Sequence, residues 1–304
     1  MLHRVNIIFK RISGLFIRTG DYNSGSPETS GVTRPRKHFQ GWLAIREHLT
    51  PIPKIIYGII PVIILLLLWY LLTLGSAEER IISPLILPAP LEVINSFPTL
   101  WFEAELSRSV VASTFRVIVG FLIGWLFAFP LSILMGSFTK VKALFEPSTV
   151  FLAYLPIPAL VPLTMSIFGI DELQKVMFLA LAFFIYMVPL CVKAVDDVDN
   201  VYLQTAYTMG ASRWVIVKKI LLPIALPRII NAMRLGFGIG WTYIILAEMV
   251  AAERGLGQII IIAQRRGPRE HIYLVLVVIV VIAYLTDKLW AKVYNFLFPY
   301  LKTK

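Results

Sequence analysis

The sequence predicts an all-α, polytopic membrane protein with about six transmembrane helices, and three observations lead there. The 304 residues are 58% hydrophobic and only 15% charged, where a soluble domain carries about 25% charged residues. The mean hydropathy is +0.76. The apolar residues gather in runs of roughly 20, long enough to cross a hydrocarbon layer about 30 Å thick. Backbone in lipid must satisfy its own hydrogen bonds, so only helices or closed barrels can span. The alternation that marks barrel strands is absent from these runs.

Residues 1–54 form a basic extension ahead of the first apolar run. Val5, Ile8, Phe9, Ile12 and Phe16 share one helical face, with Arg4, Arg11 and Arg18 opposite. Two readings stand: a helix lying in the membrane interface, or a partly disordered tail whose charge sets topology. Residues 21–35 are rich in Gly, Ser, Thr and Pro and read as a linker, and Phe39, Trp42, Leu43 and Leu49 suggest a second interfacial helix. The first apolar run begins only near Ile55, unlike the compact layout of a cleaved signal peptide.

Six spans are expected in a transmembrane domain over residues 55–298, at about 55–74, 110–135, 141–168, 176–195, 224–250 and 272–297, before a short tail at 299–304. The third contains Pro147, Pro156, Pro158 and Pro162. Proline frees backbone groups, so this segment should be kinked or broken and packed against protein. Lys and Arg set orientation. The basic extension, Lys140 and Lys142, the loop with Arg213, Lys218 and Lys219, and the tail with Lys302 and Lys304 belong in the cytoplasm. The acid-rich stretch from Glu78 to Glu105 and the pair Asp171 and Glu172 belong outside. Both termini are then cytoplasmic. One loop resists the rule: residues 251–271 should be external yet carry Arg254, Arg265, Arg266 and Arg269 against Glu253 and Glu270. These arginines either attract an anion to the outer mouth or anchor lipid headgroups.

The net charge of +11 would suggest nucleic acid in a soluble protein, but here it flanks apolar spans, and no nucleic-acid partner is expected. The single cysteine, Cys191, lies inside an apolar run and reads as a small core residue; no Cys/His spacing suits a metal. There is no phosphate-cradling G-x-x-x-x-G-K-[ST], no H-E-x-x-H and no G-x-S-x-G, so neither a resident nucleotide site nor the commoner hydrolase sites are expected. The reading is a non-enzymatic chain without cofactor.

Ionisable residues inside spans point to function by default. Arg116, in the outer part of the second span, and Glu248, near the outer end of the fifth, are candidates for a pathway. The alternative is a buried pair that fixes helix register, and the same alternative applies to Arg234 and Asp287. Gly120, Gly124, Gly236, Gly238 and Gly240 recur at near-helical intervals, as close helix packing requires.

The polar insert at residues 199–222 is the most distinctive feature. A short helix should end at Gly210, Ser212 should cap a second through its hydroxyl, Pro223 should end that helix and Pro227 should open the fifth span. The run Gln204, Thr205, Ala206, Gly210, Ala211, Ser212, Ile220, Leu222, Pro223 resembles the E-A-A-x-x-x-G-x(9)-I-x-L-P loop of ABC-importer permeases, with Gln and Thr in place of Glu and the first Ala. Leu87-Pro88-Ala89-Pro90, Ser113 to Phe121 with Arg116 and Gly120, Leu155 to Leu163 with Phe168-Gly169-Ile170, and Glu248 with Gly255-Leu256-Gly257 resemble motifs of the nitrate, sulfonate, taurine and bicarbonate permeases, in the same order. The resemblance implies a type I importer permease of a bacterial cytoplasmic (inner) membrane. It implies an ATPase dimer docked on the insert, a second permease copy, an extracytoplasmic substrate-binding protein and a small anion as cargo, with membrane lipid around the spans. An ATP-independent secondary transporter or channel is the alternative; it would need coupling-ion ligands, and the spans offer few carboxylates.

Overall fold

The computed structural model describes residues 50–301 apart from 77, 79 and 251. The expected interfacial helices of the basic extension, and Lys302 and Lys304 of the tail, lie outside the described residues. The chain divides into a unit Met1–Gly58 and a unit Ile59–Lys304. Of the first, the described residues form the opening turns of helix α1, Pro51–Leu72. No residue of the apolar stretch of α1 is buried within the chain.

In the second unit, short helices α2 (Pro90–Asn95) and α3 (Phe97–Phe102) lead into α4, Leu106–Ser137. At 32 residues α4 is about 48 Å long, more than a hydrocarbon core requires. Then come α5 (Thr139–Ala153), a 3₁₀ turn at Ile157–Ala159, α6 (Leu160–Phe168), and α7 (Glu172–Asp196). The insert forms α8 (Asn200–Thr208) and α9 (Arg213–Ile216), continued by a π-helical turn Val217–Leu221 into α10, Leu222–Met249. Helices α11 (Leu256–Arg266) and α12 (Arg269–Leu297) and a 3₁₀ turn at Pro299–Leu301 complete it.

Helix α7 is the centre: two thirds of its apolar stretch is buried, with α4 packed along one side and α10 along another. The inward face of α4 mixes small residues, Ser109, Ser113, Gly120, Gly124, Ala128 and Ser132, with larger ones such as Val117, Phe121 and Met135. A Cβ at Gly120 would lie 2.7 Å from the Leu179 Cβ, and one at Gly124 would lie 2.7 Å from the Ala180 carbonyl oxygen. Absence of a side chain thus sets how near α4 approaches α7. Gly240 meets Phe183 in the same way, whereas Gly238 faces open space and takes no part in this packing. Phe121 ties four helices together, its ring edge-on to Phe183 of α7 (5.4 Å), Phe237 of α10 (5.1 Å) and Trp290 of α12 (5.7 Å).

Among the described residues four helices, α1, α4, α7 and α12, are long and apolar enough to cross a membrane, or five spans if the bent pair α5 and Ile157–Phe168 counts as one. The remaining expected span is α10, which has the length but carries Arg228, Asn231, Arg234 and Glu248. The proline-rich span is broken as expected, bending by 87° near Pro156. The expectation that it packs against protein holds only for its second arm, where Ile157, Leu160, Val161 and Thr164 are buried and Gln174 of α7 donates to the Thr164 hydroxyl at 3.0 Å. Helix α5 has no buried residue, and its Leu144, Phe145 and Phe151 stay exposed among the described residues.

Two local expectations about the insert need correction. Ser212 stands at the N-cap of α9, but its hydroxyl makes no capping bond. Neither Pro223 nor Pro227 is a boundary; Pro223 lies in the first turn of α10 and Pro227 inside it, so the helix runs from Arg213 to Met249 without a stop. The π turn explains this. The Leu222 N–H donates to the Val217 carbonyl five residues back, and this wider turn leaves room for the Pro223 ring.

Candidate functional site

Two assemblies of polar residues stand out, at opposite ends of α10. The first is a buried ionic brace. Ser113 and Arg116 lie three residues apart on the inward face of α4, and Glu248 ends α10. The Arg116 guanidinium donates from Nε and Nη2 to the two oxygens of Glu172 (2.6 and 2.5 Å). Its Nη1 donates to Glu248 Oε1 at 2.6 Å and to the Arg254 carbonyl at 2.7 Å. Four of its five N–H groups are therefore used by protein.

Glu248 is fully buried and accepts from the Ser113 hydroxyl and the Gly257 N–H. Ser113 also accepts from the Leu256 N–H at 3.0 Å. The loop after α10 thus closes over the carboxylate. Gly255, at φ +143°, approaches so near that a Cβ would sit 2.4 Å from the Glu248 carboxyl carbon. Each charge in the brace has a partner and its lone pairs are used, the condition under which buried ions persist. Glu172 is the open member, 63% exposed at a cleft of about 1090 Å³ that Arg108, Phe115 and Arg254 also line.

Of the four arginines in the loop after α10, Arg254 lies 3.5 Å from Glu105, and Arg269 is half-buried with an Nε that has no partner among the described residues. Arg265 and Arg266 are exposed, in the last turn of α11 where cations suit the helix dipole, and carry no ion pair among the described residues. At the same end, outside the spans, Arg80 grips Glu92 at 2.7 Å. That bond, with the Ala89 N–H at 2.8 Å, holds the Glu92 carboxyl below the usual range.

The second assembly is the insert. Asp199 caps α8 by accepting from the Val201 N–H, and Gly210 turns the chain at φ +77°. The Ala211 N–H returns to the Ala206 carbonyl at 3.0 Å, closing the turn. Ala206 is buried beneath it, while Gln204, Thr205 and Ser212 are exposed. Tyr207, Met209 and Trp214 are exposed apolar groups on this knob, Met209 at 82%. Trp214 packs edge-on to Phe138 at 5.5 Å, so the knob rests on the end of α4. A cleft of about 480 Å³ opens between it and that end, lined by Phe138, Lys140, Tyr207 and Arg213. Leu222 and Pro223 stand where the knob passes into α10.

The sequence reading reached Arg116, Glu248 and the insert but not Ser113 or Glu172 as their partners. Ser113 was visible one helical turn before Arg116; Glu172 was visible only as an acidic residue ahead of a span. Arg234 and Asp287, each read as functional or as part of a register-fixing pair of unnamed partner, meet each other in a two-pronged contact at 2.5 and 2.6 Å. Lys175 was not singled out; it is buried, and its ammonium donates to the Ile170 and Asp171 carbonyls.

Residues 120–289 match a family described as the inner membrane component of binding-protein-dependent transport systems. A probable ABC transporter permease protein of Brucella melitensis is 32% identical over 73% of this chain and 87% of its own. The taurine transport system permease protein of Escherichia coli is 32% identical over 74% of this chain and 82% of its own. A putative aliphatic sulfonates transport permease protein of Bacillus subtilis is 28% identical over 68% and 75%. Among solved structures, the fold is similar to a chain of the MetNI methionine ABC transporter in an inward-facing conformation (TM-score 0.58, 22% identity, 65% of this chain and 97% of that one).

Proposed function

The chain belongs to the family of inner membrane components of binding-protein-dependent transport systems, and from that premise we propose how this permease subunit of an ABC importer is driven and what it carries. The family implies an ATPase and a binding protein as partners. Its member here supplies the membrane path and no covalent chemistry. The insert is the docking surface for the ATPase, and Gln204, Thr205, Ala206, Gly210, Ala211, Ser212, Leu222 and Pro223 form or support it. One observation carries this: the knob exposes apolar Tyr207, Met209 and Trp214, and its second helix, from Arg213, continues through a π turn into α10 as one helical body. A push on the knob then moves α10 without an intervening hinge loop.

The cargo is a small anion of the sulfonate, taurine, nitrate or bicarbonate kind, a reading supported by the named relatives in Escherichia coli and Bacillus subtilis. Two copies enclose the path. The insert faces the cytoplasm with both termini, and the brace lies toward the outer face. Of the two readings of Arg116 and Glu248, their near-saturated hydrogen bonding supports a brace that fixes α4 against α10, with the cleft beside Glu172 open to the cargo's side. Arg265 and Arg266 supply the external field that draws an anion or an acidic binding protein.

The test is co-purification. Met209→Asp with Trp214→Asp should leave the permease in the membrane and abolish recovery of the ATPase encoded with it. Full recovery of the ATPase by this variant would refute the docking assignment.

A further inference from the structure

A cleft of about 580 Å³ lies between the last turns of α7 and the first half of α10, closed on one side by Tyr294 of α12. Lys193, Arg228 and Arg234 line it against one carboxylate, Asp197. Their donors are only partly used. The Lys193 ammonium, in the last turn of α7, has no ion pair or hydrogen bond among the described residues, and neither do the Asn231 amide and the Tyr294 hydroxyl. Arg228 spends Nη1 on the Asp197 carbonyl at 2.6 Å, 3.9 Å from that residue's carboxylate, and its Nε and Nη2 have no partner among the described residues. Arg234 spends Nε and Nη2 on Asp287 and leaves Nη1 free. Arg228, Asn231 and Arg234 follow one another at intervals of three residues, so they spread across one side of α10 beside Lys193.

We propose that this cleft binds a tetrahedral oxyanion group, the sulfonate or sulfate of a free anion or the phosphodiester of an anionic lipid headgroup. Three cations and two neutral donors converge on a space of suitable size. Guanidinium groups favour multi-oxygen anions over chloride because their N–H groups form a planar fork. The Arg228 hydrogen bond to the Asp197 carbonyl and the Arg234 salt link to Asp287 orient the two guanidinium groups and leave part of each free to donate. The C-terminal end of α7 and Asp197 oppose an anion, and the exposed cations are screened, so the site is weak and salt-sensitive. A weak site suits a group that must leave again. Its placement on the cytoplasmic side rests on the orientation proposed above; the binding chemistry does not.

The experiment uses the full-length chain in phosphatidylcholine nanodiscs, titrated with sodium sulfate at constant ionic strength by calorimetry. Lys193→Gln with Arg228→Gln should weaken sulfate binding at least tenfold. Lys54→Gln with Lys292→Gln, the same charge change at two exposed cations that do not line the cleft, should leave it unchanged. A second arm replaces part of the lipid with phosphatidylglycerol and counts retained lipid by native mass spectrometry. Loss of sulfate binding in the first variant identifies a free anion as a ligand; loss of retained phosphatidylglycerol identifies a headgroup, and either supports the site. Lys193→Arg alone should preserve binding, which separates recognition from misfolding. If the first variant and the control bind sulfate and phosphatidylglycerol equally, or if neither probe binds the native chain, the proposal is overturned. Neither arm measures transport, so failure here leaves the permease reading intact, and loss of ATPase association would leave this site intact.

Discussion

At the scale of single residues, the brace decides the most. Glu248 is fully buried, and its charge is tolerable because Arg116, Ser113 and the Gly257 N–H answer it. Glu248→Ala should therefore cost about 1–3 kcal/mol, since the Ser113 and Gly257 donors lose their acceptor and Arg116 is left with Glu172 as its one carboxylate. The apparent thermal midpoint of the purified protein should fall sharply. Arg116→Met combined with Glu248→Met should recover much of that loss, because neither buried charge then remains and the exposed Glu172 is answered by water; a double variant as unstable as the single one would count against the pair as the cause. The Arg80–Glu92 contact tests a second residue effect. With its folded carboxyl held below the ordinary value of about 4.3, Glu92 contributes stability that is present above that value and lost as pH falls through the folded one. Proteolysis of the stretch around residues 75–95 should be flat from pH 7 to pH 5 and quicken only in stronger acid. In Glu92→Gln that acid-dependent step should vanish; a step unchanged in the variant would assign it elsewhere.

At the scale of elements, the insert depends on backbone conformation. A Cβ at Gly210 would meet no atom within 4 Å, so space is not the constraint; the constraint is φ at +77°. A β-branched residue there is strained, while asparagine tolerates this region. Gly210→Val should keep the spans folded but lower ATPase association several-fold, and Gly210→Asn should retain most of it. Equal pull-down by both variants would show that the turn does not set the docking geometry. The turn was legible in the sequence because glycine announces it. The continuity from α9 through α10 was not, because two prolines argued for a boundary and only a π turn, a departure without a sequence signature, removed it. Likewise the prolines located the break between α5 and α6, but not that α5 would have no buried residue in the single chain.

At the scale of the whole molecule, orientation is the claim with the widest consequences. Cys191 is buried and offers no reactive background, so single engineered thiols can report sidedness. Ser212→Cys should resist an impermeant thiol reagent in intact cells and react after the membrane is opened, while Arg265→Cys should react in intact cells. Labelling of Ser212→Cys from outside would reverse the topology. Composition and the length of the apolar runs were enough to determine a helical membrane protein, since the hydrocarbon layer imposes both on any chain that crosses it. The ordered short motifs were enough to place the chain in its family and to find the insert, because local turn chemistry is written in neighbouring residues. Which charges meet was decided only by the tertiary structure. Arg116 joins Glu248 across 132 positions of sequence and Glu172 across 56. Those pairings, and the convergence of Lys193, Arg228 and Arg234 on one cleft, follow from how near α4 and α10 approach α7. That distance is set by small residues and ring contacts on facing helices; the glycine spacing announces close packing, but which helix each one meets is decided through space.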